Sequence, residues 1–499
     1  MANLFTTLKT PNSNEYSQPL GLFINNKWVA SKSADKIPVI SPINGEQITE
    51  VHAAGTADID DAVDAARAAL KGPWSEISGT QRGELMRKLA DLAEELTHDM
   101  ASIDSWNNGK RYSSARGDVS ELTGVLRYYA GFADKIYGQV IPVDQNKFAF
   151  TDRGPIGVCG QIIPWNYPLG MAAWKLAPAL AAGNTIVLKP AEQTPLSVLV
   201  FATLIEKAGF PPGVINIVNG YGRTAGAALA AHLDVDKIAF TGSTATGKEV
   251  MRLAASNLKA ITLETGGKSP LLVLPDADLE QAVKWSHHGI MANQGQICTA
   301  TSRILVHEAI YEKFTELFLE QVRTTSKVGD PYNTDTFQGP QVSKAQYDRV
   351  LSYVEKGKAE GATLSLGGKP ADVAGGKGYF IEPTVFTDVQ DNMAIYREEI
   401  FGPFAVLSSF STEEEAIRRA NDTTYGLGAA IFTQDITRAL KLGKKIEAGM
   451  VWINSSNDSD FRVPFGGVKQ SGIGRELGEA GIAAYTVAKS VHVNMGNRL

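Results

Sequence analysis

Cysteine is nearly absent from this sequence, and so are clusters of basic residues and long apolar segments. The 499 residues include only two cysteines, which excludes a disulfide framework and favours a reducing compartment. No apolar run reaches the roughly 18 residues that a membrane-spanning helix needs. The net charge is −6, and lysine and arginine form no long cluster. Neither nucleic acid nor an anionic membrane is therefore expected as a main partner.

Histidine is also scarce, and the composition is otherwise ordinary. Of seven histidines only His287 and His288 are close together, without metal-spaced companions, so no metal site is expected. With 43% hydrophobic and 20% charged residues, the chain should form two or three globular domains. Residues 1–20 resemble neither a secretory nor a mitochondrial signal. A cytoplasmic location is expected; Asn497-Arg-Leu499 is only a distant variant of the peroxisomal Ser-Lys-Leu address.

The two cysteines lie in different sequence contexts. Cys159 belongs to the apolar run 157–163, which is typical of a buried strand, and a small hydrophobic role is sufficient for it. Cys298 lies in the polar, glycine-bearing segment 294–300, where packing explains it poorly. It is either a free thiol in a loop or a reactive group.

Short β-rich runs alternate with helical segments from about residue 157. The predicted strands are 157–163, 185–188, 214–218, 237–240 and 260–263, and the helices between them are 197–208, 224–232 and 243–255. Strand starts about 25 residues apart are typical of repeated βαβ units, so a doubly wound parallel sheet is expected. Before it we predict a loose arm over residues 1–20 and an amphipathic helix capped by Thr56. After it we predict a second α/β region to about residue 466 and a terminal strand over residues 485–495, which needs a partner.

Polar groups follow the first and fifth predicted strands. In an open parallel sheet, ligands bind beyond the carboxyl ends of the strands. Asn166 stands between two prolines; its amide can donate to an oxyanion or simply cap a turn. Glu264 is a candidate general base if its pKa is raised, or it caps the glycine turn that follows.

The remaining strand ends have features of a nucleotide site. Glu192, after Lys189, can accept hydrogen bonds from ribose hydroxyls, or the two form an exposed charge pair. The glycine runs 220–226 and 241–247 could each let backbone approach a phosphate at a helix N-terminus, although neither has the G-x-G-x-x-G spacing. Together these five strand ends predict a binding pocket.

Two motifs identify a family. Leu263-Glu-Thr-Gly-Gly-Lys-Ser-Pro270 and Gln294-Gly-Gln-Ile-Cys298-Thr-Ala300 occur in order, with Glu264 and Cys298 34 residues apart. With the segments 164–168, 240–247, 398–403 and 464–472, they resemble the NAD(P)-dependent aldehyde dehydrogenase superfamily over about residues 20–496. The chain looks most like the fungal members of its tetrameric, non-acylating group.

The resemblance implies an α/β fold with three parts. These are a Rossmann-like doubly wound domain (1–136 and 156–266) that binds NAD, a second α/β catalytic domain (267–466), and a small β oligomerisation element (137–155 and 481–499). The element would give the terminal strand its partner. The resemblance also implies a homo-oligomer, a tetramer built as a dimer of dimers.

The resemblance further implies NAD-dependent oxidation of an aldehyde to the carboxylic acid, with NADP as a weaker alternative. Cys298 would attack the aldehyde and carry a thiohemiacetal and then a thioester, while Asn166 holds the oxyanion. Glu264 would activate the water that hydrolyses the thioester. Lys175 and Glu476 would either relay protons from Glu264 or form an ordinary buried ion pair.

Two sets of binding residues are predicted. The cofactor residues are Ile162, Ile163, Pro164, Trp165, Lys189, Glu192, Gly222, Gly226, Phe240, Thr241, Gly242, Ser243, Gly247, Thr265, Gly266, Gln346, Glu399 and Phe401. The substrate residues are Tyr167, Met171, Trp174, Ile297, Thr299, Phe461 and Phe465. Aromatic walls favour apolar or aryl aldehydes, and no arginine stands out near them as a partner for a carboxylate.

Overall fold

The computed structural model describes residues 4–373 and 375–499. In chain order the strands are β1 (Phe5–Lys9), β2 (Glu15–Pro19), β3 (Leu22–Ile24), β4 (Lys27–Val29), β5 (Lys36–Ile40), β6 (Gln47–His52), β7 (Val140–Asp144), β8 (Lys147–Pro155), β9 (Val158–Ile162), β10 (Thr185–Lys189), β11 (Ile215–Ile217), β12 (Lys237–Thr241), β13 (Ala260–Glu264), β14 (Pro270–Val273), β15 (Arg303–His307), β16 (Thr363–Leu366), β17 (Thr384–Thr387), β18 (Phe404–Phe410), β19 (Gly428–Phe432), β20 (Met450–Ile453), β21 (Gly472–Ile473) and β22 (Thr486–Asn494).

The α-helices follow the same order. They are α1 (Thr56–Leu70), α2 (Pro73–Glu76), α3 (Gly79–Glu95), α4 (Thr97–Asn108), α5 (Tyr112–Ala130), α6 (Pro168–Ala181), α7 (Leu196–Ala208), α8 (Ala227–Ala231), α9 (Thr244–Ala254), α10 (Leu279–Met291), α11 (Tyr311–Thr325), α12 (Lys344–Ala359), α13 (Ala394–Arg397), α14 (Glu413–Asn421), α15 (Ile436–Gly443) and α16 (Gly478–Ala483). A π-helical turn spans Gly222–Gly226, and 3₁₀ turns span Ala255–Asn257, Ala292–Gly295, Glu308–Ile310 and Lys469–Ser471. Within the described residues, no helix is both long enough and apolar enough to cross a bilayer.

The first sheet has the strand order β21-β13-β12-β9-β10-β11-β3-β4. Its central strands β9 to β13 are parallel and coincide with the predicted strands to within one residue at each end. Alternate residues face opposite helical layers: Cys159 and Leu188 pack with residues of α3 to α7, whereas Val158 and Val187 pack with residues of α1 and α8. Helices on both faces bury these strands, which confirms the doubly wound arrangement. The antiparallel edge strands β3, β4 and β21 were not predicted.

The second sheet has the order β16-β17-β18-β15-β14-β19-β20 and confirms the second α/β region. It is parallel apart from the edge strand β16. One face packs against α10 and α11 and the other against α12, α14 and α15. The domain boundaries given above stay a prediction.

A third sheet, in the order β22-β8-β7, is antiparallel and lies apart from both. The terminal strand finds its partner in β8, with Thr486 opposite Pro155 and Asn494 opposite Lys147. Apolar side chains on this sheet are exposed, among them Val140 at 72% and Val487 at 51%.

The predicted loose arm is wrong over the residues that the structure describes. β1 and β2 form an antiparallel hairpin, and residues 1–3 lie outside the described part. The ring of Phe5 packs edge-on against Trp28 with centroids 5.5 Å apart. Gln18 is fully buried, and its Nε2 donates to the carbonyl oxygens of Pro19 at 2.8 Å and Leu196 at 3.4 Å. The polar alternation of this segment therefore reflects a half-buried hairpin.

Two helix predictions also need correction. Thr56 is the first residue of α1 and not its cap; the cap is Gly55, whose N–H donates to the Asp58 carboxylate at 2.8 Å. The helix predicted over residues 224–232 begins as a π-helical turn at Gly222 and becomes α-helical only at Ala227.

Candidate active site

A cavity of about 990 Å³ opens beyond the carboxyl ends of β9, β12 and β13, which are neighbours in the first sheet. Residues 164–167, 241–245 and 264–266, which follow these strands, form one wall. Residues within 292–299 and 399–401 form the opposite wall. The residues singled out after β10 and β11 do not line it, so three of the five predicted strand ends contribute to this cavity.

Cys298 follows a sharply bent piece of backbone. Asn293, Gln294 and Gly295 have φ values of 47°, 57° and 69°, in the left-handed region that is costly for residues other than glycine. At Gly295 a Cβ atom would lie 1.8 Å from the carbonyl oxygen of Gly402. Glycine is therefore required for the turn that brings Cys298 to the cavity wall.

The Cys298 thiol is held in its neutral form by its surroundings. Burial raises its pKa to about 12, and the carboxyl groups of Glu399 and Glu264 add to the shift. At neutral pH the thiol is therefore protonated until a base removes its proton. Cys159, by contrast, is fully buried in β9 and has the packing role that its sequence context predicts.

Glu264 ends β13 and is 2% exposed. Burial, followed by the neighbouring charge of Glu476, raises its pKa well above the ordinary value. Neither carboxyl oxygen accepts a hydrogen bond from the residues that the structure describes. A carboxyl group with a raised pKa at the edge of a cavity is suited to act as a general base toward water.

Lys175 and Glu476 form a buried ion pair, and Glu476 also lines the cavity. The Lys175 ammonium also donates to Thr241 Oγ1 at 2.6 Å. Glu476 is fixed by backbone pairing with Phe465, at 2.7 and 2.8 Å. The pair is therefore connected both to the end of β12 and to the aromatic wall.

Asn166 is buried, and its amide lies beside the segment that carries Cys298. Nδ2 donates to the carbonyl oxygen of Gln296 at 3.0 Å, which uses one of its two hydrogens. The Asn166 carbonyl oxygen accepts from Lys110 Nζ at 2.9 Å. Lys110 is itself buried between Asp118 and Asp104, so a charged cluster fixes the Asn166 backbone.

Phe401 is positioned by Gln346, and the neighbouring Glu399 carboxylate accepts the Gly267 N–H at 3.0 Å. The Gln346 Nε2 donates to the carbonyl oxygens of Ile400 at 3.1 Å and Phe401 at 2.8 Å, which stabilises the positive φ of 66° at Phe401. The Phe401 ring meets the ring of Trp165 edge-on, with centroids 5.2 Å apart. Burial raises the pKa of Glu399 to about 7.

The glycines after β12 and β13 are required by close approaches. A Cβ at Gly247 would lie 2.7 Å from Thr265 Cγ2, and a Cβ at Gly266 would lie 2.2 Å from Glu399 Oε2. Ser243 caps α9, its Oγ accepting the Thr246 N–H at 3.2 Å. The result is a helix N-terminus without bulky side chains, a typical anion site.

Several predicted cofactor residues do not line the cavity. Lys189 is buried and its Nζ lies 3.4 Å from the half-exposed Glu192 carboxylate. The remaining members of the set lie in or beside strand ends away from the cavity surface; they are Ile162, Ile163, Gly222, Gly226, Phe240 and Gly247.

All of the predicted substrate residues line the cavity; they are Tyr167, Met171, Trp174, Ile297, Thr299, Phe461 and Phe465. The rings of Trp174 and Phe465 meet edge-on with centroids 4.8 Å apart. Phe461 packs against α5, where a Cβ at Gly124 would approach its ring to 3.1 Å. This aromatic wall lies on the α5 and α6 side of the cavity.

Known proteins resemble this chain over nearly its whole length. The sequence pattern described as "Aldehyde dehydrogenase family" matches residues 28–491. This chain belongs to the aldehyde dehydrogenase family. An aldehyde dehydrogenase of Emericella nidulans is 52% identical over 500 residues and covers 100% of both chains. "Aldehyde dehydrogenase [NAD(P)+] 1" of Saccharomyces cerevisiae is 50% identical over 502 residues and covers 99% of each.

A solved structure agrees with this assignment. The NAD+ complex of an aldehyde dehydrogenase from Bacillus cereus superposes with a TM-score of 0.94 at 48% identity, covering 96% of this chain and 97% of that one. The family membership predicted from the two motifs is therefore confirmed. The chain is an oxidoreductase that acts on aldehydes.

The sequence missed several charged residues of this aldehyde dehydrogenase cavity. Arg111, Glu121 and Arg349 line it and were not among the predicted residues; that no arginine serves as a partner for a substrate carboxylate stays a prediction. The Arg111 guanidinium lies over the Phe337 ring, 5.1 Å from its centroid. In the sequence these residues resemble an ordinary solvated helix face, and no local signal distinguishes them.

Proposed function

We propose that the protein oxidises aldehydes to carboxylic acids with NAD through a covalent intermediate on Cys298. The observation that carries this proposal is the convergence of Cys298, Glu264 and Asn166 on one cavity. That cavity has an aromatic wall on one side and a glycine-lined helix N-terminus on the other. A thiol, a base and an amide donor are the groups that acyl chemistry requires.

Cys298 would act as the nucleophile. Its Sγ forms a bond to the aldehyde carbon, and the carbonyl oxygen becomes an oxyanion. The second N–H of the Asn166 amide and the Cys298 backbone N–H would stabilise that oxyanion, each being worth on the order of 3 kcal/mol. Because the pKa of the thiol is raised, its proton must pass to solvent in the cavity as Sγ attacks.

The residues fit NAD on the cofactor side. Gly266 lines the cavity and has no room for a side chain, α9 offers its N-terminus to a diphosphate, and the half-buried Glu399 is an acceptor for ribose hydroxyls. The chemistry that NAD supplies when bound is the acceptance of a hydride. Glu192 would favour NAD by repelling a 2′-phosphate, which leaves NADP as the weaker alternative; relatives bind NAD+ or are named for NAD(P)+.

Glu264 would complete the turnover. The acyl group remains on Cys298 as a thioester, and Glu264 takes a proton from the water that attacks it. The carboxylic acid leaves and the thiol is restored. The Lys175–Glu476 pair would either pass the proton from Glu264 onward or only fix the end of β12.

Variants at both cysteines test the proposal. C298A is expected to abolish aldehyde-dependent NADH formation, followed by absorbance, whereas the matched control C159A keeps it because Cys159 only packs β9. E264Q is expected to form about one NADH per site and then stop, with the acyl group on Cys298 visible by intact mass. Steady NADH formation by C298A would contradict the mechanism.

We further propose that the β7, β8 and β22 sheet assembles the chain into a homo-tetramer in the cytoplasm. Support comes from its exposed apolar side chains, including Val140 and Val487, which a partner would cover. A light-scattering mass near four times 53.5 kDa is expected, and a monomer mass would exclude this assembly.

A further inference from the structure

Glu121 places a carboxylate in the substrate side of the cavity without a cationic partner. It lies on α5 and lines the cavity beside Trp174 of α6. Its Oε1 accepts the indole N–H of Trp174 at 2.8 Å. Among the described residues no lysine or arginine nitrogen lies within 4.0 Å of it. A neutral donor therefore positions the carboxylate and leaves its charge uncompensated.

The neighbouring charges do not compensate Glu121 either. Lys110 is shared between Asp118, which it contacts directly, and Asp104 at 3.8 Å, so two carboxyl groups already compete for one ammonium. Burial and the charge of Asp118 raise the pKa of Glu121 to about 6. At pH 8 the side chain is therefore ionised, and this corner of the cavity is negative.

One aromatic ring contacts this carboxylate, and two more belong to the same wall of the cavity. Trp174 donates to it, Phe465 packs on Trp174 with centroids 4.8 Å apart, and Phe461 lines the adjacent wall. Ring faces attract cations, most strongly when the cation is desolvated. A carboxylate among aromatic rings therefore favours a ligand that carries a positive charge and alkyl groups.

Arg111 is the opposing charge, and it lies elsewhere along the cavity. It precedes Glu121 by ten positions at the start of α5, which corresponds to about 15 Å along a helix. Its guanidinium covers the Phe337 ring, and its Nε donates to Ser114 Oγ at 2.8 Å. It is therefore not a partner for Glu121, and it does not neutralise the aromatic wall.

We propose that Glu121 is a specificity-determining residue which makes this enzyme prefer aldehydes that bear an ammonium or quaternary ammonium group. The inference rests on the proposed function, because it concerns the aldehyde that Cys298 attacks. The cation would lie between the Glu121 carboxylate and the aromatic wall. A neutral aldehyde of the same shape makes the apolar contacts but leaves the carboxylate without a counter-charge.

Two isosteric aldehydes test this preference at pH 8. One is γ-trimethylammoniobutyraldehyde, and the other is its tert-butyl analogue, in which carbon replaces the charged nitrogen. The wild-type ratio of kcat/KM, cationic over neutral, is expected to be roughly tenfold or more, the size of one charge-assisted contact. In E121Q the amide keeps the acceptor for Trp174 but loses the charge, so the ratio is expected to fall toward one.

D460N is the matched control, since Asp460 lines the same cavity but its carboxylate is paired with Arg462 at 2.6 Å. D460N changes the net charge by the same amount as E121Q, and its ratio of kcat/KM, cationic over neutral, should stay within about twofold of wild type. A wild-type ratio at or below one, or an unchanged ratio in E121Q, overturns the inference. Preference for an aldehyde with a carboxylate tail overturns it too and assigns specificity to Arg111.

A further measurement decides the question if E121Q does not fold. The two alcohols that correspond to the test aldehydes compete with substrate in the wild-type enzyme. A roughly tenfold lower inhibition constant for the cationic alcohol supports the inference, and equal constants overturn it. Oxidation of the neutral aldehyde without any cation preference rejects only the role of Glu121, whereas no oxidation of any aldehyde rejects the proposed function itself.

Discussion

Removal of either partner of the Lys175–Glu476 pair is expected to destabilise the protein more than removal of both. Lys175 is fully buried and Glu476 is 2% exposed, so a charge left alone there is almost entirely removed from water. The hydrogen bond from Lys175 to Thr241 at 2.6 Å keeps the ammonium in place and prevents it from reaching water.

The magnitude follows from this burial. Breaking a buried pair by removing one partner costs about 3–5 kcal/mol, whereas replacing both with apolar groups is often close to neutral. At about 2–4 °C per kcal/mol for domains of 150–250 residues, E476A and K175M should each lower the apparent Tm by roughly 6–20 °C. K175M/E476A leaves no unpaired charge, so its Tm should lie above that of either single variant.

Circular dichroism during heating measures this at one scan rate, because large proteins often unfold irreversibly and their apparent Tm depends on that rate. E476Q is the matched control: it keeps the shape and the acceptor for Lys175 while losing the charge. If the two single losses simply add in K175M/E476A, the reasoning is refuted, since coupled partners must show non-additive effects. The pH profile of kcat for E476Q then separates a proton relay from a purely structural pair, which leaves the profile unchanged.

Two other outcomes are expected. Because the pKa of Cys298 is raised to about 12, its thiolate fraction should grow about tenfold per pH unit. The rate of iodoacetamide alkylation of the C159A variant should therefore rise by the same factor from pH 7 to 10. A rate that reaches a plateau below pH 9 would contradict this. E192Q should raise the ratio of kcat/KM for NADP over NAD roughly tenfold, because one like-charge repulsion is lost. An unchanged ratio would show that Glu192 does not select the cofactor.

The central strands and the substrate wall could be predicted from the sequence because their signals are local. β10 and β12 are short apolar runs bounded by polar or glycine residues, and Phe465 lies inside a family motif. The hairpin of β1 and β2 could not be predicted, since its burial depends on Trp28 and on α7, which are distant in sequence. A helical pattern alone also does not show that a charged face borders a cavity.

That limit explains why the sequence did not identify Glu121 and Arg111 as cavity residues. Both stand on or beside α5 at positions that the sequence alone would assign to solvent, and only the folded packing of α5 brings them to the cavity. The role of Lys110 could not be predicted for the same reason. Its contact with the Asn166 carbonyl joins residues 56 positions apart, which no spacing rule connects.

The edge strand β21 has a consequence for folding of the chain during its synthesis on the ribosome. It completes the first sheet beside β13, yet it is made about 200 residues later. Because synthesis proceeds at about 5–20 residues per second, the edge of β13 stays unpaired for roughly 10–40 s. Glu476 arrives with that strand, so the Lys175 ammonium has no counter-ion until synthesis is almost over, and a nascent chain stalled before residue 472 should need chaperone protection at this edge.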